Sequence, residues 1–391
     1  MAIEGRSESA SRRIRLGMVG GGQGAFIGGV HRIASRIDDM YALVAGALSA
    51  DAGRAKASGL ELGLAEDRSY GSFEEMAKRE AERPDGIEAV AIVTPNHMHY
   101  PVAKAFLKRG IHVICDKPMT TTLKEARKLA ELTEKSGAVF ALTHNYTGYP
   151  MVRQARDMVA SGKLGTIRLI NVRYVQDWLT TPLEESGQKQ ADWRTDPARS
   201  GAGGSVGDIG THAYNLASFV SGHDAESLAA DLTAFVPGRR LDDNVHVMMR
   251  YASGARGMLW ASQVAPGNEN NLVLEVYGTE GGLVWQQENP NLLWFTPFGE
   301  EKRLITRNGA GAGPAAARVS RIPSGHPEGY LEGFANIYAE AGRAILAARD
   351  GGKPDSAVTF PTVHDGVKGV AFIEACVRSS GKNAAWVKIE K

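Results

Sequence analysis

The sequence predicts a mixed α/β protein in two parts: a parallel sheet flanked by helices, then an α+β part with a large, mostly antiparallel open sheet. Three observations carry this. Between residues 14 and 143 short apolar runs alternate with helix-like segments, a glycine cluster follows the first run, and beyond His144 the pattern changes to alternating strands separated by turn residues. The 391 residues also exceed the roughly 250–300 at which a single hydrophobic core stops growing, so two domains are expected. A 43% hydrophobic and 23% charged composition is that of a globular chain and excludes disordered and fibrous classes. No apolar run approaches the roughly 20 residues of a spanning helix.

The elements follow in order. Apolar runs at 14–19, 41–48, 89–94, 111–115 and 138–143, each linked to the next by a helical pattern, read as βαβ units whose strands are buried on both faces. After Thr122, a capping box with Glu125, apolar Leu123, Ala126, Leu129 and Ala130 at helical spacing, and Gly137 at the end together specify a helix. A helix at 151–160 then leads to strands at 167–176, 245–251, 257–262, 272–277 and 283–286, with helices at 209–220 and 329–348 and a Gly/Ala-rich loop at 308–314. The expected boundaries are a tail at 1–13, the parallel domain at 14–143 and the second domain at 144–391.

The first strand runs into Gly20-Gly21-Gly22-Gln23-Gly24-Ala25, where Gly20, Gly22 and Ala25 fit G-x-G-x-x-A, with Gly28 as the third glycine only if the loop is longer than usual. Such a turn lets backbone N–H groups at a helix N-terminus hold a pyrophosphate, which makes this a Rossmann dinucleotide-binding domain; a glycine-rich turn without ligand is the alternative. At the second strand's end Ser49 stands where an acid would select NAD, with Asp51 and Arg54 beyond it, so NAD and NADP both stay open. The segment Thr94-Pro95-Asn96-His97-Met98-His99 lines the nicotinamide ribose or forms a turn and helix cap.

Lys117, in Asp116-Lys117-Pro118, lies at the carboxyl edge of the sheet, where it reaches a substrate hydroxyl or simply solvent. In the segment from Gly203 to His212, Asp208, His212 and Asn215 share a polar helical stripe. Either Asp208 fixes the tautomer of His212 as a general base, or it caps the helix and His212 is solvated. His97, His99 and His144 lack the spacing of a metal site, and no metal is expected. Trp178, Trp193, Arg194 and His326 sit in segments mixing aromatic and polar groups, suited to sugars or, for the tryptophans, to a core.

Charge is nearly balanced, 45 basic against 44 acidic residues, which argues against nucleic acid or a membrane surface as partner and for a small polar ligand. Two cysteines, Cys115 and Cys376, fit a reducing compartment, so a cytoplasmic protein is expected. Ser11-Arg12-Arg13 before a Gly-rich apolar stretch has the look of a twin-arginine signal, but 14–19 is also a good buried strand; Ile3-Glu4-Gly5-Arg6 spells a factor Xa site.

Taken together, Gly20 to His31, Thr94-Pro95-Asn96, Asp116-Lys117-Pro118 and Asp208-Ile209-Gly210-Thr211-His212 resemble the Gfo/Idh/MocA family over nearly the whole chain. The resemblance implies a Rossmann domain followed by an α/β domain whose open sheet shapes the substrate pocket and often an oligomer interface. It implies a catalytic set of Lys117, Asp208 and His212. Cofactor contacts are expected at Gly20, Gly22, Gln23, Ala25, Ser49, Arg54, Thr94, Asn96, His99, Lys117 and Asn145. Substrate contacts are expected at Tyr146, Trp178, Trp193, Arg194 and His326. Asp116 is shorter than the family's usual Glu. The implied activity is NAD(P)-dependent oxidation of a secondary alcohol in a sugar, polyol or inositol-like substrate, or reduction of the ketone, by a homo-oligomer, a dimer or tetramer. Alternatives are a redox-neutral glycosidase using transient oxidation and a non-catalytic nucleotide-binding regulator.

Overall fold

The computed structural model describes residues 13–390; the factor Xa sequence and the rest of the tail up to Arg12 lie outside them, whereas the apolar stretch after Arg13 forms a strand. The five apolar runs form β1 (Ile14–Gly20), β2 (Tyr41–Ala47), β3 (Ala89–Val93), β4 (His112–Cys115) and β5 (Phe140–Leu142), all parallel, in the order β2-β1-β3-β4-β5. Every residue of β3 is buried, as a strand covered on both faces requires. Helices α1 (Phe26–Ile37), α2 (Ala52–Glu61), α3 (Phe73–Glu82), α4 (His99–Leu107) and α5 (Leu123–Ser136) supply the cover. Helix α5 is bounded as its sequence requires: Thr122 Oγ1 accepts the N–H of Glu125 at 3.3 Å, and Gly137 ends the helix at φ +66°.

After α6 (Pro150–Ala160) comes β6 (Ile167–Val175), the central strand of a nine-stranded sheet. Short helices α7 (Lys189–Arg194) and α8 (Pro197–Ser200) precede α9 (Thr211–Ser221). The remaining strands are β7 (Ala225–Thr233), β8 (Asn244–Tyr251), β9 (Arg256–Ser262), β10 (Asn271–Gly278), β11 (Gly281–Gln286), β12 (Leu292–Pro297), β13 (Arg303–Thr306) and β14 (Val387–Lys388). The order is β13-β12-β11-β10-β6-β9-β8-β7-β14, antiparallel except for β6 against β9. The sequence reading found no strand at β7, β12 or β13. The Ala/Glu/Leu-rich β7 is held extended by a full antiparallel register with β8, so tertiary pairing overrides local preference.

Helices α10 (Pro314–Ala317), α11 (Tyr330–Arg349) and α12 (Val363–Ser380) complete the described chain. The sequence reading put all of 144–391 in the second domain. In the structure Phe334, Tyr338, Ala341 and Ile345 of α11 are buried with Ile14, Leu16 and Met18 of β1, and His31 Nδ1 lies 2.8 Å from the Tyr338 hydroxyl. Helix α12 packs both ways, Val370 with the first sheet's core and Phe372 with the second's. Among the described residues no helix is long and apolar enough to cross a membrane, and no His/Cys/Asp/Glu group is arranged to hold a metal.

Candidate active site

The glycine turn after β1 is used differently from the G-x-G-x-x-A reading. Gly21 (φ +73°) and Gly28 form the close contact between turn and helix: a Cβ on Gly28 would lie 2.3 Å from the Gly21 carbonyl oxygen. Gly28, not Ala25, is therefore the close-packing position, and the loop is longer than the motif. Gly22 packs toward β2, its N–H donating to the Leu48 carbonyl at 3.1 Å, and a Cβ there would meet that oxygen at 2.6 Å. Ala25 precedes α1 without a side-chain cap, and the first turn holds no acidic residue. Uncapped N–H groups and the helix dipole thus face a cleft of about 420 Å³ lined by Gly22, Gln23, Gly24, Ala25 and Ser58. Gln23 spans it, its side chain donating to Glu61 at 2.7 Å.

At the end of β2, Ser49 Oγ accepts the Asp51 N–H at 3.2 Å, and Asp51 caps α2 by accepting the Arg54 N–H at 2.7 Å. Arg54 is exposed, and neither Ser49 nor Arg54 lines the cleft. Further along the sheet edge, Thr94 Oγ1 and Asn145 Nδ2 are buried without a partner, orphaned polar atoms that suit a carboxamide or ribose. These features fit a dinucleotide. Two expected contacts are turned inward instead. Asn96 donates to the Ser200 carbonyl at 2.9 Å, tying the first sheet to α8. His99 is 1% exposed, with its ring nitrogens on the carbonyls of Pro118 (2.7 Å) and Thr94 (2.9 Å), so it braces two loops and presents nothing to a ligand.

Lys117 follows β4 after Asp116, whose Oδ1 accepts the Lys117 N–H (2.9 Å) and the Thr143 hydroxyl (3.0 Å). Its ammonium donates to Asp208 Oδ1 at 2.8 Å and to the Asp208 carbonyl at 2.5 Å. Asp208 Oδ2 accepts from Arg194 (3.2 Å) and Gln263 (2.9 Å). Burial acts to raise the Asp208 carboxyl, but Lys117 and Arg194 outweigh it and hold the group well below the usual carboxylate range. Asp208 sits in a π-helical turn (Val206–Gly210) before α9. That turn is stapled from outside: Asp242, 8% exposed, accepts the N–H groups of Gly204 (2.6 Å) and Val206 (2.8 Å).

The expected hydrogen bond from a His212 ring N–H to the Asp208 carboxylate is not made, because the carboxylate accepts from Lys117, Arg194 and Gln263. His212 faces His144 instead, Nδ1 to Nδ1 at 3.4 Å, among the rings of Tyr146 and Tyr174. Burial, then Lys117 and His144, push the His212 imidazole well below its ordinary range, so it is neutral at pH 7. The alternative of a solvated His212 is excluded by its 8% exposure.

The Tyr146 and Tyr174 hydroxyls lie 2.5 Å apart, and Tyr174 donates to Asn270 Oδ1 at 2.8 Å. Gln176 donates to the same oxygen and accepts from Trp178, so Trp178 joins this polar ladder at its edge. Asn270 and Gln287 line an adjacent cavity of about 630 Å³ with Tyr149 and Tyr330. Arg194 enters through Asp208, its guanidinium over the Trp193 ring at 4.3 Å. His326 is exposed on a loop whose carbonyls are held by Arg307, and its ring takes no part in the cluster. Sequence reasoning missed Tyr174, Asn270, Gln263 and Asp242, and noted His144 only in dismissing a metal. The run Asn268-Glu269-Asn270-Asn271 at the mouth of a strand is the one local signal among them.

Residues 14–144 match the oxidoreductase family model described as an NAD-binding Rossmann fold, and 152–284 match the GFO/IDH/MocA C-terminal domain. An oxidoreductase of Sinorhizobium meliloti is 62% identical, covering 96% of this chain and 100% of that one, with a TM-score of 0.87. An inositol dehydrogenase homolog of Azotobacter vinelandii, solved with NADH and myo-inositol, is 35% identical over 98% of this chain and 99% of that one, with a TM-score of 0.91. Levoglucosan dehydrogenase of Pseudarthrobacter phenanthrenivorans is 28% identical over 97% of this chain and 98% of its own length. With both domains matched and relatives aligned from end to end, the chain belongs to the Gfo/Idh/MocA family of NAD-binding oxidoreductases.

Proposed function

We propose that the protein oxidises a secondary alcohol of an inositol-like polyol or a sugar, or reduces the corresponding ketone, with NAD or NADP. The observation that carries this is the Lys117–Asp208 ion pair beside a neutral, buried His212 at the sheet edge that also bears the cofactor cleft. The nicotinamide, when bound, accepts or returns the hydride. Loss of hydride makes the hydroxyl proton strongly acidic, so a neutral imidazole suffices to take it. Lys117, fixed by two bonds to Asp208, presents its positive charge to the same oxygen and stabilises charge developing there. Asp208 thus acts by holding Lys117. The ladder of Tyr146, Tyr174, Asn270 and Gln176 offers donors and acceptors without charge, suited to a neutral polyhydroxy ring. An inositol dehydrogenase homolog complexed with myo-inositol and a levoglucosan dehydrogenase, both relatives of this chain, support that substrate class. A cytoplasmic homo-oligomer completes the reading, consistent with two buried, unbridged thiols at Cys115 and Cys376.

The test is absorbance at the nicotinamide band with a panel of inositols, sugars and anhydrosugars, in the presence of each cofactor. Net, stoichiometric reduction with at least one cyclic polyol is expected. Turnover of a glycoside without net reduction would replace this reading by the redox-neutral one, and cofactor binding without turnover of any compound would make the protein a regulator.

A further inference from the structure

We infer that His144 is a positioning residue that fixes the tautomer of His212, a role resting on the dehydrogenase reading above. The sequence had offered Asp208 for it. In the structure the hydrogen bonds of the Asp208 carboxylate run to Lys117, Arg194 and Gln263, and the polar group facing a His212 ring nitrogen is His144 Nδ1, 3.4 Å from His212 Nδ1. The two rings meet edge to face, at 82° and 5.2 Å between centroids. A contact of this length in a ligand-free site is of the kind that tightens when substrate binds.

With Nδ1 engaged by His144, Nε2 is the nitrogen of His212 left for a substrate oxygen. Burial, followed by Lys117, pushes His144 down to about 3, and His212 is lowered by burial, Lys117 and His144; the opposing influences of Asp116 on the first and Asp208 on the second do not reverse this. Two neutral rings share a single hydrogen between their Nδ1 atoms, which leaves two arrangements. If His144 donates, His212 carries its hydrogen on Nε2 and can only donate to substrate. If His212 donates, its Nε2 lone pair is bare and can receive the hydroxyl proton. Alcohol oxidation requires the second, in which His144 is the acceptor. Once His212 is protonated, its Nδ1–H bond to His144 becomes charge-assisted and strengthens at the moment the positive charge forms. A neutral acceptor does this without holding His212 charged beforehand, as a carboxylate partner would.

Two measurements test the inference. In cofactor-free protein labelled with ¹⁵N-histidine, two-bond ¹⁵N–¹H correlations report the tautomer directly; the Nδ1–H form of His212 is expected, and the Nε2–H form would overturn the proposal. In steady-state kinetics, His144→Leu should lower kcat by about 10- to 100-fold, the range usual for loss of a group that orients another, with cofactor affinity unchanged. His144→Asn, whose amide oxygen stands in for the acceptor nitrogen, should recover most of that loss. A leucine variant at the parental rate, or an asparagine variant no better than leucine, would also overturn it. If the protein oxidised no polyol at all, the dehydrogenase reading would fail while the spectroscopic arm still decided the geometry of the pair.

Discussion

Two glycine-rich turns open helices in this molecule, and they do opposite things. The turn at 20–25 commits the N–H groups of Gly22, Gln23 and Ala25 to Leu48, Ser58 and Gly22, but it leads into α1 with no side-chain cap and no acid in the first turn, so the N–H groups that open the helix remain available to an anion. The turn at 203–207 has its N–H groups filled from within by Asp242, from a loop more than thirty residues away in sequence. In the first turn every residue but Gln23 is glycine or alanine, and the start of the helix is left open. In the second the backbone is locked, which fixes the helix start that carries Asp208 and His212. Glycine content alone does not separate the two; whether a buried carboxylate fills the backbone N–H groups does.

The largest effect should come from the side chains that the locked turn presents and their partner. His212→Ala and Lys117→Ala should each lower kcat by at least about a hundredfold. Cofactor affinity of the His212 variant, measured by fluorescence titration, should be unchanged. A His212 variant near the parental rate at saturating substrate would remove it as the base.

Unlocking the second turn comes next. Asp242→Ala leaves two buried N–H groups unpaired, at about 1–3 kcal/mol each, so Tm and kcat should both fall while cofactor affinity is kept. Burial pushes the Asp242 carboxyl up to about 6, against the N–H groups of Val206 and Gly204 and with Asp243 alongside. The folded protein therefore holds this proton more tightly than the unfolded chain, whose ordinary value is 3.8. Its contribution to stability is complete below about pH 4 and is lost as pH rises through 6. Urea unfolding from pH 4 to 7 should show the stability of the parent, relative to Asp242→Asn, declining across that window; a rising difference would reject this account.

Making the first turn resemble the second is a smaller change. Ala25→Asp would cap α1 and set a carboxylate against the pyrophosphate, raising the cofactor Kd by about tenfold while stabilising the helix by about 0.5–2 kcal/mol. Unchanged cofactor binding would place the phosphates elsewhere. Smallest is Ser49→Asp, expected to shift the ratio of kcat/KM several-fold toward NAD by repelling a 2′-phosphate.

Much of this was legible along the chain. The parallel strands, the capped α5 and the elements bearing Lys117 and His212 depend on local pattern. What was not legible depends on distance. His144 meets His212 across 68 residues, and Asn270 meets Tyr146 across 124. Asp208 and His212 share a helical stripe on paper, but the π-helical turn at Val206–Gly210 shifts their relative rotation and gives the carboxylate to Lys117. His99 looked like a ligand contact because it follows Thr94-Pro95-Asn96, whereas burial turned it onto two backbone carbonyls.

The packing of α11 on the first sheet has a consequence for how the protein is made. The surface of β1 and α1 that Phe334, Tyr338 and Ile345 cover is synthesised long before them. From residue 144 to Arg349 is about 200 residues, on the order of 10–40 s of translation. During that interval the nascent cofactor half is an open sandwich with one slice missing. A ribosome-bound chain stalled after β5 should therefore bind dinucleotide poorly, and a gene cut at that point should yield a sticky fragment in place of a portable nucleotide-binding module.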